Sequence, residues 1–130
     1  MEIDFGLEFQ GKMNIMANSI DLLLGFTLEH IGVKPPRMLG SKIGKFIESN
    51  NKASLKYSGD MSNLMDKLKR FNNHWNITKH GMITGGYESL TFHKNGKYHT
   101  FDKTKQNEIK LEFSDIMSEL TEIYNATSKL

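Results

Sequence analysis

The sequence predicts a mainly all-α protein, an antiparallel four-helix bundle with a β-hairpin inserted between the third and fourth helices. Three observations predict it. Apolar residues recur at three- and four-residue steps over 7–31, they do so again over 61–75, and "TFHKNGKYHTF" alternates around Asn95–Gly96. Steps of three and four put side chains on one helical face, whereas alternation puts them on one face of a strand. At 130 residues the chain falls in the single-domain range, so 1–130 is read as one domain.

The first helix carries Phe9, Met13, Met16, Ile20, Leu23, Leu24, Thr27, Leu28 and Ile31 on one stripe. "GVKPPRM" ends it, because Gly32 suits a left-handed cap and Pro35–Pro36 cannot continue a helix. "MLGSKIGKFIESN" reads as a short second helix with Ile43, Phe46 and Ile47 on its apolar side. The third helix opens at the capping residues Ser58 and Asp60 and lines up Met61, Leu64, Leu68, Phe71 and Trp75 as its core stripe. Asn95–Gly96 then marks a tight hairpin, since both residues tolerate the positive φ of a type I′ turn. A last helix runs from about Ser114 to Lys129, with Ile116, Leu120 and Ile123 at helical spacing. Helices of this kind bury their stripes against one another, which is the reason for expecting a bundle.

Composition excludes several chemistries. With 38% hydrophobic and 25% charged residues the chain is of globular type, and a net charge of +2 from 17 basic and 15 acidic residues names no partner. No cysteine is present, so disulfides, thiolate metal sites and a thiol nucleophile are ruled out. The acidic start "MEIDFGLEF" lacks the basic segment of a signal peptide, and "IDLLLGF" is too short to cross a bilayer, so a cytoplasmic protein with no membrane partner is expected. There is no P-loop, Rossmann fingerprint or nucleophile elbow. His93 and His99 can approach across the hairpin, but two histidines without a third ligand make a poor zinc site; no metal and no cofactor is expected.

The chemistry concentrates in "RFNNHWNITKHGMITGG", residues 70–86. At 100° per residue, Asn72, Asn76 and His80 form one column bordering the core stripe, while Arg70, His74 and Ile77 form another pointing nearly the opposite way. Two readings of the first column stand side by side. In one, the amides and the imidazole satisfy the carbonyls of the helix end and the next loop. In the other, they hold a phosphate and move a proton near neutral pH, with His80 favoured as proton donor by the helix dipole. Ile77, apolar on the non-core side, hints at a second buried surface such as a dimer contact.

The order of parts and the stretch "WNITKHG" together resemble the HEPN superfamily (higher eukaryote and prokaryote nucleotide-binding domains), over nearly the whole chain. Asn76, His80 and Gly81 stand where the family pattern N-x-x-x-H-G places them, but Trp75 occupies the position of the expected Arg. Active members look like metal-independent ribonucleases that work as dimers, with their motif helices facing a shared cleft. The resemblance therefore implies a homodimer, with His80 in proton transfer, Asn76 orienting it, and Lys79 or Arg70 holding phosphate in place of the missing Arg. Trp75 can stack on a base but cannot neutralise a phosphate. A catalytically degenerate domain follows as the first expectation. It would bind RNA, a nucleotide or a partner protein through residues such as Asn72, Lys79, Arg70 and His74, in a toxin–antitoxin or defence setting. The alternative is a surviving ribonuclease.

Overall fold

The structure, a computed structural model, describes residues 2–50, 59–80, 82–85 and 90–127, with side chains described from Glu8 onward except at His80 and 82–85. The described chain is mainly helical: α1 (Glu2–His30), α2 (Leu39–Glu48), α3 (Met61–His80), then β1 (Met82–Gly85), β2 (Leu90–Lys94) and β3 (Lys97–Phe101), and finally α4 (Lys103–Thr127).

The stripe foreseen on α1 is the spine of the core. Met13, Ile20, Leu24 and Leu28 are wholly buried, against Leu64, Leu68 and Phe71 of α3 and Ile116, Leu120 and Ile123 of α4. Gly32, at φ +79°, ends α1 in the left-handed conformation that its missing Cβ permits. Asp60 caps α3 by accepting from the Asn63 amide at 3.1 Å. Ser58, the other expected cap, lies outside the described residues. Polar groups in the interior are satisfied. Lys42 donates to Asp21 at 2.8 Å and to the Arg37 carbonyl at 3.1 Å, and Gln106 donates to the Phe101 carbonyl at 2.9 Å.

Four expectations need correction. The hairpin is not alone: β1 adds to it, making a three-stranded antiparallel sheet in the order β1–β2–β3. The Asn95–Gly96 turn is as expected, with φ of 54° and 75° and Lys94 paired to Lys97. The last helix begins at Lys103, eleven residues before Ser114, because Asp102 caps it and accepts from the Lys105 amide at 2.7 Å. His93 and His99 do not converge either. His93 pairs with Tyr98 and His99 with Phe92, which puts the two histidines on opposite faces of the sheet.

The fourth correction concerns direction. Phe9 meets Phe101 beside the start of α4, with ring centroids 5.6 Å apart. At the far ends, Phe26 and His30 both meet Tyr124, at 6.5 and 4.5 Å. The two helices start together and finish together, so α1 and α4 run parallel. The antiparallel expectation holds for α3, whose Gln10–Thr78 contact with α1 and Lys67–Glu119 contact with α4 join opposite ends. The physical reason is that α3 runs antiparallel to α1 and ends where α1 begins; the sheet packs at that end, with β1 against α1 and β2 against α3, and α4 starts from there, so it takes the direction of α1.

Candidate functional site

The side chains of residues 70–79 radiate from α3 in several directions, and different directions meet different neighbours. Arg70 and His74 face α4. The Arg70 Nε donates to Glu112 Oε1 at 3.0 Å, and the His74 ring stands edge-on to Phe101 at 5.8 Å. Lys105, from the first turn of α4, completes a cleft of about 180 Å³ lined also by Phe71, Glu108 and Glu112. Loss of water around the imidazole, then the Lys105 ammonium and the Arg70 guanidinium, push the His74 pKa down to about 4. At neutral pH this histidine is uncharged and keeps one N–H donor and one lone pair.

Trp75 and Lys79 face α1. Trp75 is half-buried at the edge of the core, not enclosed by it as the core-stripe reading expects, and the Lys79 ammonium lies 5.7 Å from its ring centroid. With Gln10, Asn14 and Thr78 they line a second small cleft. Asn72 faces α2, where its side-chain nitrogen sits so close to Gly40 that a Cβ there would meet it at 3.3 Å. Asn76 is half-buried, and its backbone carbonyl accepts from Lys94 Nζ at 3.2 Å. The His80 side chain and Gly81 lie outside the described residues.

Arg70 and Lys79, the two expected substitutes for the missing Arg, therefore project to opposite sides of α3. Of the residues singled out by sequence, Arg70 and His74 come together; Asn72, Asn76 and Lys79 do not join them. Ile77 is not a free apolar residue. It is 6% exposed and belongs to the core, on a helix that β2 also packs against. Ile77 is buried within its own chain, so the second buried surface expected at that position is internal and not a dimer contact.

Lys105 and Lys94 belong to the basic run of the second half of the sequence but are not among the expected site residues. Asp102 is the signal for Lys105, since a cap there starts α4 early and sets Lys105 one turn ahead of Glu108 and Ile109. Lys94 has no comparable signal, because its approach to Asn76 depends on how the sheet docks. Among the described residues no group of three or more His, Asp or Glu side chains could hold a metal ion, and no helix is long and apolar enough to cross a membrane. Comparison of the chain with protein-family models, with curated proteins and with solved structures finds no match.

Proposed function

We propose that this chain is a HEPN-like helical domain that has lost the cleavage step and binds a nucleotide or single-stranded RNA in the cleft between α3 and α4. One observation carries the reading: Arg70, His74 and Lys105 converge on that cleft, while Lys79 lies on the far side of α3 from Arg70. The lining suits a ligand bearing both phosphate and hydroxyl groups. Arg70 and Lys105 offer donors to phosphate oxygens, and Glu108 and Glu112 offer acceptors to ribose hydroxyls. Glu112 is Arg70's present partner, so an entering phosphate exchanges one anion for another at that guanidinium. The homodimer belongs to this proposal through the family resemblance, as does an accessory role in a toxin–antitoxin or defence system, where a partner protein would replace RNA as ligand.

The surviving-ribonuclease reading has one specific foothold. Lys94 brings a cation to the carbonyl of Asn76, beside the edge that ends in His80, and so could stand in for the Arg that Trp75 replaces. Incubating the parent and His80→Ala with structured and single-stranded RNA in excess chelator separates the two readings. Degeneracy predicts intact RNA with both proteins. Cleavage by the parent that His80→Ala abolishes would overturn the loss of catalysis and make the Lys94→Ala variant the next test.

A further inference from the structure

A second basic cleft lies on the opposite flank of α4, where its first two turns meet α1. It measures about 180 Å³ and is lined by Glu8, Phe9, Lys12, Lys103, Asn107 and Lys110 among others. Three lysines share it with one carboxylate. Glu8 already holds Lys12 at 3.0 Å along α1, a contact that lowers the Glu8 carboxyl and raises the Lys12 ammonium. Lys110 comes from α4 to within reach of the same ammonium, and loss of surrounding water, then Lys12 itself, hold it below the usual lysine range. Gln106, also at this cleft, is occupied by the Phe101 carbonyl, and Phe9 packs on Phe101 beneath.

Two ammonium groups held side by side repel unless a counter-charge lies between them. The parallel course of α1 and α4 imposes that pairing: it brings the fourth residue beyond Glu8 and the eighth residue of α4 to the same level. The result is an apolar floor flanked by the Lys12 and Lys110 ammonium groups, with Glu8 beside them.

We propose that the α1–α4 cleft is an anion site for two linked phosphates, with Lys12 and Lys110 donating from its two walls. Lysine serves here as a compact point charge with rotatable donors, which suits phosphate oxygens without demanding one planar geometry. A nucleotide diphosphate and two successive phosphates of a nucleic-acid backbone share this chemistry. The site stands on its own residues and is independent of the α3–α4 cleft, since no side chain lines both.

The test is calorimetric titration of the full chain with inorganic pyrophosphate and, separately, with a short 5′-hydroxyl single-stranded RNA. Parent, Lys12→Gln/Lys110→Gln and Arg70→Gln are compared. At least one probe binds the parent, and the double variant loses at least about tenfold in affinity as two phosphate contacts disappear. Arg70→Gln removes the phosphate contact of the α3–α4 cleft, so binding that persists in it and is lost in the double variant belongs to the α1–α4 cleft, whereas binding lost in Arg70→Gln and kept in the double variant belongs to the α3–α4 cleft and overturns this proposal. Pyrophosphate binding identifies the diphosphate as the source, and RNA binding without it identifies the backbone. Because removing like charges relieves repulsion, the double variant melts no lower than the parent, and the probe that binds raises the melting temperature of the parent alone. Failure of both probes to bind, or unchanged affinity in the double variant, overturns the proposal.

Discussion

His74 illustrates how one residue acquires a property that its neighbours in sequence do not foretell. Burial against Phe101 and two flanking cations leave it neutral, with a folded pKa of about 4 against an ordinary value near 6.5. Between those values the unfolded chain takes up a proton that the folded chain declines, so this residue subtracts stability as pH falls from about 6.5 towards 4. With the cleft partly open to water, the cost at pH 5 is about 1 kcal/mol. Urea denaturation of the parent and His74→Gln at pH 7 and pH 5 reads it: the stability difference between the two pH values shrinks by about that amount in the variant. An equal pH dependence in both proteins would mean that His74 titrates normally.

At the scale of elements, legibility in the sequence followed local chemistry. Gly32, Asp60 and Asn95–Gly96 act through their own backbone or the amide three residues on, so the end of α1, the start of α3 and the hairpin turn could all be read. The start of α4 is not marked by its apolar residues, because Ile109, Leu111 and Phe113 stand at steps of two rather than of three and four. Leu111 proves to be 70% exposed, so the alternation includes a residue the core never uses. Ile77 failed the other way. Helical periodicity places it outside, and only long-range packing around α3 buries it. Ile77→Ala accordingly destabilises by about 2–4 kcal/mol, the range for deleting a buried aliphatic side chain. A change under 0.5 kcal/mol in the denaturation midpoint analysis would show the face to be uncovered.

For the whole molecule, periodicity predicts which faces are buried but not the direction in which helices run. Burial of the helix stripes against one another is the reason for expecting a bundle but does not fix direction; α1 and α4 run parallel because α3 is antiparallel to both. The same arrangement scatters the expected site. A single column on α3 looked like one ligand surface, yet α1, α2, α4 and the sheet each claim part of that helix. A short amine-reactive cross-linker followed by peptide mapping checks the direction. It joins Lys12 to Lys110, as the parallel pairing requires. An antiparallel pair would place Lys12 near the C-terminal end of α4 and give no such product.

The central functional claim is that the α3–α4 cleft receives phosphate beside a histidine kept neutral in its absence. NMR titration of the histidine ring signals tests it most directly, with His74 assigned by its loss in His74→Gln. Without ligand the His74 pKa lies near 4; with saturating nucleotide or short RNA, the added negative charge moves it upward by at least about one unit. A His74 that titrates near 6.5 in the free protein, or one whose value is unmoved by either ligand, would contradict the claim.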